Sequence, residues 1–213
     1  MISVVIPTYQ RPHLLMERCL PSVMRQTVKD WEVIVVGDGT DELTCRLMDG
    51  LTDERITFVN LPRATYPTER MRAWEISGVE AFNHGWDLAK GEWLWRLDDD
   101  DELEPWAFDA LLSAQALTGA DVVYGVSRWW NDHGYMGWDQ GEWPPGPAKI
   151  ADGANLRRTS LPYRYDSQAR AHSDLEADSD LWTRMVEDGV KFHFEPRVVH
   201  RYWHWRDGFG GRP

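Results

Sequence analysis

Asp98, Asp99, Asp100 and Asp101 stand in an unbroken row directly after the apolar run Trp93-Leu94-Trp95-Arg96-Leu97. Adjacent carboxylates repel one another, so a fold that keeps them together needs compensating positive charge. A divalent cation is the commonest compensation. If Trp93–Leu97 is a strand, side-chain alternation sends Asp98 and Asp100 off the same face. That pair can hold one Mg²⁺ or Mn²⁺ and leave coordination positions for phosphate oxygens. The competing reading is a solvated acidic turn ahead of a helix that starts near Pro105.

Two other strand ends carry polar residues of the same kind. Ile2–Pro7 runs into Thr8-Tyr9-Gln10-Arg11, and Trp31–Val36 runs into Gly37-Asp38-Gly39. In open α/β sheets ligands bind outside the carboxyl ends of the strands. Three such ends together make a nucleotide-sized site from sequence-distant pieces, although turn residues follow strands in any protein. There is no G-x-G-x-x-G after the first strand and no G-x-x-x-x-G-K-[ST] anywhere, which argues against a nicotinamide cofactor or a P-loop triphosphate. A diphosphate without a glycine cradle needs another positive partner, and a metal on the aspartates would supply it.

The elements that must position these residues follow from periodicity. Short β-branched or apolar runs at Ile2–Pro7, Trp31–Val36, Arg55–Asn60, Trp93–Leu97 and Asp121–Ser127 read as buried strands. Helical spacing covers Pro12–Gln26, the segment up to about Met48, Trp74–Leu88 and Pro105–Leu117, with Leu61–Arg72 a polar loop and Gly91 a candidate C-cap. Alternation of this kind predicts an α/β fold, a mostly parallel sheet with helices on both faces. After Ser127 the pattern breaks. Residues 128–170 are rich in Gly, Pro, Trp and Tyr and read as loops with irregular strands. A helix from about Asp178 to Asp188 and short strands at Lys191–Glu195 and Arg197–His200 follow. The expectation is one domain over 1–213, a strand-rich half at 1–127 and a loop-rich half at 128–213.

The chain has 213 residues, 42% of them hydrophobic and 27% charged, which suits one globular domain with a proper core. No apolar stretch is long enough to span a bilayer, and the N-terminus lacks a signal-peptide pattern. The two cysteines, Cys19 and Cys45, have no metal or framework spacing, so a reducing, cytoplasmic setting is expected. A net charge of −12 argues against broad binding of nucleic acid or anionic lipid, but the stretch after Val190 is locally basic, with Lys191, Arg197, Arg201, Arg206 and Arg212. Thirteen tryptophans are many for this length, and Trp129, Trp130, Trp138 and Trp143 fall outside obvious core positions. Their faces suit sugar rings and planar bases.

The ordered stretches V-V-I-P-T-Y, V-I-V-V-G-D-G, N-H-G-W-D-L-A-K-G-E-W-L-W-R-L-D-D-D-D and A-D-S-D-L-W-T-R-M-V-E-D-G-V-K-F-H-F-E-P resemble the family-2 glycosyltransferases, enzymes with the Rossmann-like GT-A fold. The resemblance implies a metal-dependent, inverting transfer of sugar from a nucleotide-diphosphate sugar, a UDP sugar first, to an acceptor hydroxyl. Pro7, Thr8, Tyr9, Arg11, Asp38, Asn83, Asp98 and Asp99 would line the donor pocket, and Asp38 would accept a hydrogen bond from the base. Asp98 and Asp100 match the D-x-D motif, with His200 a further metal or diphosphate contact and Mn²⁺ or Mg²⁺ the cofactor. Asp178 would be the catalytic base. Residues 1–127 would bind the nucleotide sugar, and 128–213 would supply the base and the acceptor side, with Trp129, Trp130, Trp138 and Trp182 near the acceptor.

The chain departs from the family pattern at Ala177, where the family's E-D pair has Glu, and at Phe82, where A-R-N has Arg. Residue types alone would make Asp178 a helix cap and set its pKa low, since a helix N-terminus favours the carboxylate. Two rival functions remain. A sugar-phosphate nucleotidyltransferase would want glycines in the loop after the first strand, which are absent. A non-catalytic nucleotide-sugar or glycan-binding protein is kept open by Ala177.

Overall fold

The computed structural model describes residues 1–204. Its strands are β1 (Ile2–Thr8), β2 (Trp31–Asp38), β3 (Ile56–Leu61), β4 (Trp93–Arg96), β5 (Glu102–Leu103), β6 (Val122–Asn131), β7 (Gly134–Gln140), β8 (Asn155–Arg158) and β9 (Phe192–Trp203). They form one sheet in the order β3-β2-β1-β4-β8-β6-β9-β5, with β7 paired to β6. The stretch β3-β2-β1-β4 is parallel throughout. β8 is antiparallel to both its neighbours, and β6 and β9 return to parallel pairing.

Helices cover both faces, as the alternation of β1 and β2 requires. Val4, Ile6, Val33 and Val35 face one core, with Leu15, Val23, Phe108 and Leu111. Val5, Ile34 and Val36 face the other, with Phe82, Trp86, Leu181 and Trp182. Because both faces are covered, these strands read as continuous apolar runs.

The first helical segment is not regular. It runs as α1 (Pro12–Leu14), a π turn over Leu15–Cys19, and α2 (Leu20–Met24). Pro21 has no N–H for the carbonyl four residues back, and the wider turn ahead of it accommodates the ring. Behind the acidic row, Ser22 and Gln26 fasten the chain. Leu103 N–H donates to Ser22 Oγ at 3.1 Å, Gln26 Nε2 donates to Glu104 O at 2.7 Å, and Phe108 N–H donates to Gln26 Oε1 at 3.1 Å. These buried bonds fix the exit of the acidic row before α6 (Ala107–Thr118) begins.

α3 (Glu42–Asp49) carries Cys45. The helix expected over Trp74–Leu88 is two, α4 (Arg70–Glu75) and α5 (Val79–Leu88). Gly78 between them has φ +72°, a left-handed conformation that suits glycine and ends the first helix. Gly91 is not a C-cap: α5 closes at Ala89, and Gly91 N–H donates to Ser3 Oγ at 2.8 Å. The two strands expected near the C-terminus are one, β9, joined through a register shift opposite Tyr124–Ser127. The stretch expected to be loop-rich holds the far end of β6, β7, β8 and the start of α7 (Ala169–Ser173), ahead of α8 (Ala177–Glu187). No described helix is long and apolar enough to cross a membrane.

Candidate active site

β4 ends at Arg96, two residues before the aspartates. The chain then turns, with Asp101 N–H donating to Asp98 O at 3.1 Å. Strand alternation therefore does not reach Asp98 and Asp100, and the expectation that it pairs them on one strand face is corrected. The four carboxylates share three basic neighbours. Arg96 Nε donates to Asp98 at 3.2 Å, and Arg11 Nη1 pairs with Asp99 at 3.1 Å and with Asp100 at 2.5 Å. Asp101 lies 3.2 Å from His200 Nε2 and accepts from Trp203 N–H at 2.8 Å. Thr8 Oγ1 donates to Asp99 at 2.7 Å, joining the end of β1 to the turn; Pro7 lies buried just behind it.

Burial is the main force on these groups. It pushes Asp99 up to about 6 against Arg11 and the Thr8 bond. Asp100 is raised well above the usual carboxylate range by burial and by its three acidic neighbours, with Arg11 opposing. Asp101 is raised by burial, with His200 opposing. The turn carries more negative charge than its arginines relieve. That all-oxygen donor set fits a hard divalent cation. Among the described residues no three His, Cys, Asp or Glu side chains converge on one point.

At the end of β2, Asp38 is buried and fully engaged. It accepts from Arg63 at 2.5 Å, from Ala64 N–H at 2.7 Å and from the Tyr66 hydroxyl. The Arg63 guanidinium lies 3.5 Å from the Tyr9 ring centroid and 4.4 Å from that of Tyr66. Asp38 thus folds the 61–66 loop against Tyr9. Burial and the Asp38 charge hold the Tyr66 hydroxyl up at about 12, so it stays a donor. Arg63 and Tyr66 sit in a polar loop with no pattern to single them out.

Asp178 is the second residue of α8, whose N-cap is Glu176. It does not cap the helix; its carboxylate accepts from the adjacent Ser179 N–H at 2.6 Å. Burial, then the charges of Asp152 and Glu176, push it up to about 7 against that bond and Arg96. The low pKa expected from the helix N-terminus is therefore corrected: desolvation and like charge outweigh the dipole. Arg96 links the two ends of the site, because its Nη1 pairs with Asp152 at 2.7 Å while its Nε reaches Asp98. A lone Arg inside a buried apolar strand was the sequence signal for this residue.

Two expected contacts lie elsewhere, and a third is buried. The Asn83 amide is spent on backbone, donating to Tyr165 O at 2.8 Å and accepting from Tyr165 N–H at 3.1 Å, so it braces α5 and does not face a donor. Trp182 is wholly buried in the core and cannot meet an acceptor. His200 is 1% exposed. Its Nδ1 is 2.8 Å from Ser127 Oγ, and its Nε2 lies 3.2 Å from Asp101 Oδ2 with no hydrogen bond made, so the ring is turned toward the acidic row. Trp129 and Trp130 leave opposite faces of β6. Trp129 packs on Trp138 at 4.1 Å and on Tyr202 at 4.3 Å between centroids, whereas Trp130 packs on Trp203 at 6.1 Å. Trp138 and Trp143 are more than half exposed. The Tyr202 hydroxyl is raised by burial and by the charges of Asp101, Asp100 and Asp98.

A half-parallel sheet with polar strand ends at β1, β2 and β4, and an acidic turn after β4, is the GT-A fold of the solved structures it resembles. The model of glycosyl transferase family 2 matches residues 3–174, and the chain belongs to that family. It is 33% identical over 127 residues, 58% of its length, to a GalNAc(5)-diNAcBac-PP-undecaprenol beta-1,3-glucosyltransferase of Campylobacter jejuni, and spans 37% of that protein. It is 34% identical over 132 residues, 59% of its length, to a PGL/p-HBAD biosynthesis glycosyltransferase of Mycobacterium bovis, and spans 46% of it. The chain thus spans less than half the length of these curated relatives. Among solved structures it resembles S. aureus TarS residues 1–349 with a TM-score of 0.70 at 15% identity, covering 95% of this chain and 60% of that one. It also resembles the mannosyltransferase PcManGT of Pyrobaculum calidifontis in complex with GDP-Man and Mn²⁺, with a TM-score of 0.67 at 16% identity, covering 94% and 56%. These likenesses establish the fold.

Proposed function

We propose that this chain transfers a sugar from a nucleoside-diphosphate sugar, uridine-linked, to an acceptor hydroxyl with inversion, and that it uses Mn²⁺ or Mg²⁺. The observation that carries the reading is Asp178, a partly exposed carboxylate at the start of α8 held up at about 7, chiefly by burial. A base poised near the working pH takes a proton efficiently and still exists largely ionised at pH 7.5 to 8. Asp178 accepts the acceptor's hydroxyl proton as that oxygen attacks the anomeric carbon from the face opposite the leaving diphosphate. Direct displacement of this kind inverts the centre.

Tyr9, Asp38, Arg63 and Tyr66 form the nucleoside end, with Asp38 ordering the loop that closes it. Asp98 and Asp100 would hold the cation, which neutralises charge on the leaving diphosphate. Its other ligands come from phosphate and water, as Mg²⁺ sites with one or two carboxylates arrange them. Thr8 and Arg11 position the turn. Residues 1–127 serve the donor, and the ribbon from β6 to β9, with Trp129, Trp138 and Tyr202, flanks the acceptor. TarS has been solved with UDP and with UDP-GlcNAc, which favours a uridine donor here.

Calorimetric titration with UDP, GDP and dTDP, each with Mn²⁺ and with EDTA, tests the donor half. Metal-dependent binding of UDP that Asp100→Ala abolishes is the expected result. Binding of none of the three sinks the reading. Asp178→Asn separates an enzyme from a binding protein: it removes turnover and keeps donor binding only if the chain is a transferase.

A further inference from the structure

Arg96 is the last residue of β4 and is 8% exposed. Each of its nitrogens meets a different segment. Nε donates to Asp98 Oδ1 at 3.2 Å in the acidic turn, Nη1 pairs with Asp152 Oδ2 at 2.7 Å in the loop before β8, and Nη2 donates to Ser77 O at 3.4 Å between α4 and α5. The ring centroids of Tyr165 and Phe82 lie 5.1 and 5.4 Å from its guanidinium carbon. Phe82 stands where the family pattern has Arg, so in this chain a guanidinium enters that space from β4 and not from α5. Asp152 is held from its other side. Its Oδ1 accepts from the Tyr165 hydroxyl, and that hydroxyl accepts from Nη1 of the wholly buried Arg157 at 3.0 Å. Its backbone carbonyl accepts from Asn155 Nδ2 at 2.8 Å.

A guanidinium taken out of water is costly unless its donors are met by acceptors. Asp152 and Ser77 meet two of its nitrogens, and both lie outside the acidic turn, so they fix the side chain to the rest of the fold. The remaining nitrogen, Nε, goes to the most exposed carboxylate of the row. The Asp98 side chain is 42% exposed, against 14% for Asp100, 5% for Asp99 and 2% for Asp101. Arg96 takes only one of its oxygens. Asp98 Oδ2 has no hydrogen-bond partner among the described residues. A carboxylate gripped on one oxygen by a fixed, charged donor keeps its orientation and still offers the other oxygen. We propose that Arg96 is a positioning residue for the cation of sugar transfer: it holds Asp98 by Oδ1 and leaves Oδ2 to the metal. It acts through Asp98 and not on substrate. The inference rests on the reading that Asp98 binds the cation.

Calorimetric titration of the full chain with UDP over a range of Mn²⁺ concentrations gives an apparent Mn²⁺ constant for the parent, Arg96→Gln, Asp98→Asn and the double variant. Losing the partner that orients a metal-binding carboxylate weakens metal binding by about 10- to 100-fold, and Arg96→Gln should fall in that range. Asn keeps one side-chain carbonyl oxygen at position 98, so Asp98→Asn weakens binding at least as much without abolishing it. Because Arg96 acts through Asp98, Arg96→Gln adds nothing further in the Asp98→Asn background. A merely structural residue gives losses that multiply. Arg96→Lys keeps a charge for Asp152 but lacks the fork that reaches Asp98 as well. It should therefore melt closer to the parent than Arg96→Gln while its Mn²⁺ constant stays weakened, and it decides the point if Arg96→Gln does not fold. A parent-like Mn²⁺ constant in the folded variant, or losses that multiply in the double variant, overturns the proposal. If Asp98→Asn weakens Mn²⁺ binding and Arg96→Gln does not, the proposal alone falls. If Asp98→Asn itself keeps the parent's constant, the metal reading of Asp98 falls and takes the proposal with it.

Discussion

Replacing Asp178 by Asn should make the protein more stable at pH 8 and less able to turn over. The carboxyl is held up at about 7 from an ordinary 3.8. Between those values the unfolded chain gives up the proton and the folded chain keeps it, so folding stability falls as pH rises through the window. Below 3.8 both states are protonated, and above 7 the full loss has been incurred. At about 1.36 kcal/mol per pH unit, the loss from 3.8 to 7 is about 4 kcal/mol at face value. Asp178 is partly exposed, and water at its position reduces this to about 1–2 kcal/mol. Asn keeps the shape and has no charge to desolvate. Thermal melts of parent and variant at pH 5 and pH 8 measure the difference. The variant should gain on the parent between the two values, by about 2–6 °C at pH 8 for a domain of this size. Equal melting curves at pH 8, or a variant that melts lower there, would refute the burial argument and with it the case for a neutral-pH base.

Three further outcomes are expected. Asp100→Ala should remove Mn²⁺-dependent binding of UDP by calorimetry while leaving the melting temperature unchanged or higher, since it relieves repulsion in the turn. Gly153→Ala places a Cβ 2.3 Å from His200 Nε2, a contact no rotamer of a wholly buried ring can escape, so it should cost about 1–3 kcal/mol in urea unfolding. Trp138→Ala, which removes the ring packed on Trp129, should cost about 0.5–1.5 kcal/mol of stability and leave UDP affinity unchanged; a loss of UDP affinity would move Trp138 from the acceptor side into the donor pocket.

The strands β1, β2 and β4 were legible because both of their faces are buried, and apolar runs of that kind have few other uses. β7 and β8 were not, since their residues include Gly, Trp and Arg whose strand conformation depends on pairing with β6. The break at Gly78 hides inside good helical spacing. Asp98 to Asp101 announced a site by charge alone, but their geometry did not follow, because β4 stops at Arg96 and no local signal marks that stop. Asp178 was readable through family resemblance, whereas its raised pKa comes from burial first and then from Asp152, a residue in the least regular stretch of the chain. Asp152, Tyr165 and Arg157 come together only when β8 is set beside β4 and α5.

The two thiols give the molecule a built-in handle for spectroscopy. Cys19 is wholly buried at the end of the π turn in the first helical segment, and burial pushes its thiol well above the usual range, so it should resist alkylation in the native state. Cys45 is partly accessible on α3, and Asn60 Nδ2 lies 3.4 Å from its sulfur. The same Asn60 side chain accepts from Thr40 N–H at 3.0 Å, two residues beyond Asp38. A maleimide dye added to the unmodified chain would therefore settle at a single position beside the nucleoside end. Its emission would report whether a nucleotide settles against the end of β2, with no cysteine to add and none to remove.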